Sequence, residues 1–120
     1  LNMREKAAVD EWLKSDKDFH IMRDHPQHAI EILGGMWGVR NRLLLSMVSE
    51  IQKYSKGDFW QVDQNFLKEK VYPAIINNKI VHDEFFEKIA FPTEREPRRF
   101  VGQAFDEDDN ELHPEHAEML

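Results

Sequence analysis

The stretch Ile32-Leu33-Gly34-Gly35-Met36-Trp37-Gly38-Val39-Arg40 limits the possible folds of this chain more than any other. Three glycines in five positions would weaken a helix by roughly 1 kcal/mol each relative to alanine. Helical spacing resumes only from Asn41, so this segment stands outside the helices. The segment therefore reads as extended, entered by a strand over 30–33, at a place where something approaches the backbone closely.

The rest of the chain supports a mixed α/β fold. Asn2 with Glu5 three residues on forms an N-cap pattern. Met3, Val9, Trp12 and Leu13 then follow at helical spacing, predicting a first helix that runs to about Lys14. Phe19-His20-Ile21-Met22-Arg23 is short, apolar and bounded by Asp-rich and Pro-containing segments, which predicts a strand, and Asp24 to His28 reads as a loop. Leu44, Met47, Val48, Ile51 and Tyr54 mark a second helix over 41–56, closed by Gly57. Asp58 and Gln61 cap a third, expected to end at Val71 before Pro73. A turn at Asn77-Asn78-Lys79 leads to a strand at Ile80-Val81-His82, and 100–105 reads as one more strand. The expectation is a single domain over 1–105 with a small mixed sheet and helices.

On a wheel of about 100° per residue, Asp63 falls within the arc of Phe59, Val62, Phe66 and Leu67. A buried carboxylate without a partner costs several kcal/mol. Asp63 is therefore either hydrogen-bonded to the glycine-rich segment, paired with Lys70, or used to bind a substrate.

Charge separates the chain into two parts. Seven acids and no Lys or Arg lie in 106–120, so of 23 acids and 16 bases overall, 16 of each lie in 1–105. A balanced body gives no basic face for nucleic acid. The acidic end reads as a mobile tail. Its Asp106-Glu107-Asp108-Asp109-Asn110 run has Glu111 and Ala117 where a calcium loop needs glycine and glutamate, which excludes an EF-hand. No apolar run reaches the roughly 20 residues of a membrane helix. The lack of cysteine excludes disulfides and thiolate chemistry and fits a reducing compartment such as the cytoplasm. His20, His25 and His28 match no strong zinc spacing, and no nucleophile elbow, P-loop or dinucleotide fingerprint occurs.

The order of glycine-rich strand, amphipathic helix, Asp63-Gln64 on a second helix, and a strand ending in His82 resembles the C-terminal half of GT-A-type retaining glycosyltransferases related to glycogenin and family 8. The strings REKAAVDEWL, FHIMRDHP, ILGGMWGVR, GDFWQVDQNFL and FVGQAFDEDDN are also similar to a group of uncharacterised bacterial glycosyltransferase-like proteins. The resemblance implies a partial GT-A-like fold in which Gly34, Gly35 and Trp37 line a sugar site. It also implies that Asp63 acts catalytically with Gln64 on the acceptor side. His82 would join an upstream Asp-x-Asp in holding Mn²⁺ or Mg²⁺ beneath the diphosphate of a nucleotide-sugar. That Asp-x-Asp and a nucleotide-binding half are expected before Asn2, so the chain reads as the acceptor-side part of such a protein, inactive alone. The alternative is a non-catalytic α+β interaction domain, with Phe59, Trp60 and Trp37 in its core or interface. Under either reading a part-sheet leaves an edge or apolar face that a second copy would cover, predicting a homo-oligomer.

Overall fold

The computed structural model describes residues 3–40 and 62–120, with Val62 and Asp63 described by their backbone alone. The expected Asn2 cap, the helix over 41–56, the Gly57 and Asp58 caps, Phe59 and Trp60 lie outside the described residues. Helices and a small mixed sheet make up an α/β fold, as expected from the alternation of periodicities. In chain order the elements are α1 (Met3–Leu13), β1 (Phe19–Arg23), β2 (Trp37–Val39), α2 (Val62–Phe66), a π-helical turn (Leu67–Val71), α3 (Tyr72–Ile75), β3 (Lys79–Asp83) and α4 (Pro114–Glu118).

The sheet order is β2-β1-β3. β1 runs antiparallel to β2, with Ile21 opposite Trp37, and parallel to β3, with Met22 opposite His82 and Arg23 opposite Asp83. All five β1 residues are buried because this central strand is covered on both faces. Side chains alternate along a strand, so Phe19 and Ile21 face one layer and His20 and Met22 the other. The first layer is the helical run, where Leu67, Val71 and Ile75 pack with Ile32 and Val81. The second is α1, where Ala8 packs with Met22, Met36, Phe91 and Val101, and Trp12 stacks on His20 at 5.3 Å.

Several local expectations give way to the structure. α1 buries Arg4, Ala8 and Trp12, whereas Met3 and Leu13 are exposed. The inward stripe is still i, i+4, i+8, but it includes an arginine that an apolar-only count leaves out. No strand forms over 30–33. Instead the chain turns from His28 to Met36, with Ile30 N–H donating to His28 O and Met36 N–H to Leu33 O. Gly35 makes the reversal possible at φ +80.

The helix expected to stop before Pro73 continues to Ile75. A proline ring clashes with the carbonyl four residues back and offers no N–H. The wider π turn just before it, in which Tyr72 N–H reaches Leu67 O, accommodates that loss. The 100–105 segment is a turn rather than a strand, with Gly102 at φ +89 and Gln103 N–H donating to Phe100 O.

The acidic end also has structure of its own. Asp106 accepts the N–H groups of Asp108 and Asn110, and Phe105 bridges to Glu111. α4 buries Ala117, and the His116 carbonyl accepts a bond from His25. Asx-turn chemistry gives Asp106 a structural role, while Glu107, Asp108 and Asp109 remain exposed.

Candidate functional site

The carboxyl ends of β1 and β3 lie side by side and carry Arg23-Asp24 and His82-Asp83, all buried. Burying charges is costly unless every one is paired and hydrogen-bonded, and the packing around these strand ends follows from that requirement. Asp83 Oδ1 accepts the N–H groups of Phe85 (2.9 Å) and Phe86 (3.0 Å), and Oδ2 that of Glu87 (3.1 Å). Arg23 Nε lies 3.2 Å from Asp83 Oδ2, and its other nitrogens reach Glu87 and the Ile30 carbonyl. The strand end thus organises the loop that follows it.

Asp24 is the centre of a second network. Its Oδ1 accepts from Arg95 at 2.7 Å and Arg4 at 3.1 Å, and Oδ2 accepts the Val101 N–H at 2.8 Å. Glu84 pairs with both arginines. Arg4 also lies 4.2 Å above the Phe91 ring, and Arg95 5.4 Å above Phe85. Burial pushes the Asp24 carboxyl above its usual range, opposed by the Val101 N–H and the two guanidiniums. Burial likewise lowers Arg4, opposed by the charges of Asp24 and Glu84.

Four histidines belong to the same interior. His82 Nε2 faces Glu11 at 3.3 Å and its Nδ1 faces His20 Nε2 at 2.8 Å. A carboxylate only accepts, so the His82 tautomer with its proton on Nε2 donates to Glu11 and accepts the His20 proton at Nδ1. Burial, reinforced by repulsion from His82, lowers the His20 pKa to about 4. His25 donates from Nε2 to His116 O at 2.7 Å and accepts Gln27 N–H at Nδ1. His28 Nδ1 accepts the Asp24 N–H, and burial lowers its pKa to about 4.

This arrangement also tests the expected metal role of His82. Both ring nitrogens face protein partners, and the surrounding donors are one imidazole and one carboxylate. Mg²⁺ and Mn²⁺ prefer an oxygen-rich shell. The described residues around His82 do not fit such an ion.

The expected sugar-side residues are placed as follows. Gln64 Oε1 accepts the Gly34 N–H at 2.9 Å and its Nε2 donates to Ile32 O, so the Gln64–Gly34 pairing exists as a clip on the glycine turn. Gly35 provides the reversal within that turn. Trp37 is half-buried and stacked on Phe19 at 6.4 Å, on the face covered by the helical run. His82 pairs with Met22 on the opposite face, packed against Phe91. The structure therefore joins Gly34 to Gln64 but puts Trp37 and His82 on different faces. The Asp63 side chain lies outside the described residues.

The described surface also has a cleft that the sequence does not announce. A cleft of about 510 Å³ is lined by Met3, Glu5, Glu96, Arg99, Phe100, Gly102, Gln103, Phe105 and Asp109. A smaller recess lined by Met3, Arg4, Thr93, Glu94, Glu96 and Arg99 shares three of these residues. Arg99 lies 4.6 Å above the Phe105 ring. Gln103 Oε1 accepts Phe100 N–H and its Nε2 donates to Arg98 O, fixing the amide at the rim. Asp24 ties the cleft to the strand ends through Arg4 and the Val101 N–H. Met36, next to the glycine turn, lies beneath Gly102, where an added Cβ would meet its sulfur at 2.9 Å.

The sequence signal at the cleft is the run Phe100, Gln103 and Phe105 around Gly102, which by its composition suggests a strand over 100–105. The chain itself carries one Asp-x-Asp before β1, at Asp16-Lys17-Asp18. Asp18 accepts from Asn78 Nδ2 at 2.9 Å and lies 3.6 Å from Arg40 Nε, which gives that acid a structural role. Among the described residues no helix is long and apolar enough to cross a membrane. Comparison with protein-family models, curated proteins and solved structures finds no match to this chain.

Proposed function

We propose that this chain is the acceptor-side, sugar-binding part of a glycosyltransferase-like protein, and that the cleft between 96–109 and the start of α1 receives the acceptor glycan. The supporting observation is the lining of that cleft. Two aromatic residues, Phe100 and Phe105, stand beside the guanidinium of Arg99, the amide of Gln103 and the carboxylates of Glu5, Glu96 and Asp109. A sugar has apolar C–H faces and a rim of hydroxyls that both donate and accept. A concave site with aromatic surface and convergent polar groups of both kinds matches that chemistry.

The position of the cleft adds support. Ligands of open α/β sheets collect outside the carboxyl ends of parallel strands. The cleft is tied to those ends through Asp24, and to the glycine turn through Met36. In the complete reaction a sugar passes from a nucleotide-sugar donor to an acceptor hydroxyl. This chain would contribute orientation of that acceptor.

The test is an amide-shift titration of the chain with a panel of oligosaccharides and, separately, with UDP- and GDP-sugars. The expected result is oligosaccharide binding at about millimolar Kd, with shifts centred on Gly102, Gln103 and Phe105 that disappear in Gln103→Ala. Absence of shifts from either ligand class, together with a dimer in sedimentation, would favour the interaction-domain reading. Exposed Phe86 and Ile89 give that reading an apolar surface to use.

A further inference from the structure

All six histidines lie among the described residues, and four of them are committed to the interior. His20 and His82 bond to each other, His82 to Glu11, and His25 and His28 to backbone groups. His113 and His116 are different. His113 is the residue before α4, and Pro114, at the first helical position, fixes the backbone between the two histidines. The imidazoles stand with ring centroids 4.9 Å apart and planes inclined by 32°. Glu115 Oε1 lies 3.3 Å from His113 Nδ1. One ligand atom from each of His113, Glu115 and His116 lies within 4.8 Å of the others.

We infer that His113, Glu115 and His116 form a surface site for a borderline divalent transition metal such as Zn²⁺, distinct from any cation of the sugar chemistry. Two imidazole nitrogens and one carboxylate oxygen are the donor set such ions take, with a fourth position left to water. Zn–N and Zn–O distances of about 2.0–2.2 Å place tetrahedral ligands closer together than 4.8 Å. His113 and Glu115 are more than half exposed and free to rotate inward. Mg²⁺ is a poor occupant because it prefers oxygen and dehydrates reluctantly. The backbone of the site is already anchored, since the His116 carbonyl accepts from His25 at 2.7 Å. Metal binding would therefore stiffen the first turn of α4, whose backbone the loop after β1 already holds. The chain has no cysteine to compete for the ion.

Calorimetric titration of the full chain with ZnCl₂, and separately with MgCl₂, tests this. One Zn²⁺ per chain is expected, with Mg²⁺ at least about tenfold weaker. His113→Asn and Glu115→Gln, both at exposed positions, should each weaken Zn²⁺ by about tenfold or more with far-UV circular dichroism unchanged. Saturating Zn²⁺ should raise the Tm of the wild type and not that of His113→Asn. Zn²⁺ affinity within twofold of wild type in both variants, equal affinity for Mg²⁺, or no heat up to about 1 mM Zn²⁺, weaker than a useful site, would each overturn the assignment.

Discussion

Asp83→Asn is the substitution that most directly tests how the strand ends are held. The side chain is fully buried and its two oxygens receive three backbone N–H groups, while Arg23 stands 3.2 Å from Oδ2. Asparagine has nearly the same shape but only one acceptor oxygen. If that oxygen serves Phe85 and Phe86, the new NH₂ points at the Glu87 N–H and the Arg23 guanidinium, donor against donor. If it is flipped, two amides lose their acceptor instead.

Either orientation leaves at least one buried N–H unsatisfied, at about 1–3 kcal/mol. It also removes the charge opposite a buried arginine, so the total is on the order of 3–5 kcal/mol. That is a large share of the roughly 5–15 kcal/mol that holds a domain together. Urea unfolding followed by tryptophan fluorescence and circular dichroism measures the loss, and hydrogen exchange at 85–87 locates it. Glu87→Gln, at a partly exposed position, serves as the control and should cost about 1 kcal/mol or less. A loss below about 1 kcal/mol in Asp83→Asn, with the 85–87 amides as protected as in the wild type, would refute the account of a buried acid organising its loop.

Two further outcomes follow from the packing. With the folded-state pKa of His20 held at about 4 against an ordinary 6.5, the unfolded chain binds the proton first. Stability is therefore complete above pH 6.5 and falls as pH drops from 6.5 towards 4, by on the order of 2–3 kcal/mol for this buried residue. Urea midpoints across that range should fall less steeply in His20→Asn, with the remaining slope coming from His28, and an unchanged slope would count against the assignment. Gly102→Ala combines a left-handed backbone with a Cβ 2.9 Å from Met36 Sδ, whereas Gly35→Ala at φ +80 meets nothing within 4 Å. The first should cost about 2–4 kcal/mol and the second about 1. Equal melting points for the two variants would show that the Met36 contact is not tight.

The features legible in the sequence were those that local chemistry decides. Phe19–Arg23 was recognisable as a strand because its apolar run is bounded by turn formers. β3 followed from the Asn77-Asn78 turn, and the interruption at Gly34–Gly38 excluded a continuous helix. The sequence suggests a bond from this helix to the glycine turn only as one alternative for Asp63, whereas Gln64 makes it.

Tertiary structure decided which charges go inside. Hydropathy periodicity scores each residue by its own preference for water, and on that scale Arg4, Asp24 and Asp83 belong outside. Their burial depends on partners far along the chain: Asp24 meets Arg4 20 residues before it, Arg95 71 after and the Val101 amide 77 after. The cleft lining and the folding back of the acidic end depend on the same long-range pairings. Composition and spacing therefore determined the α/β alternation, while the interior electrostatics that shape the candidate site arose only when the strand ends, α1 and 84–101 came together.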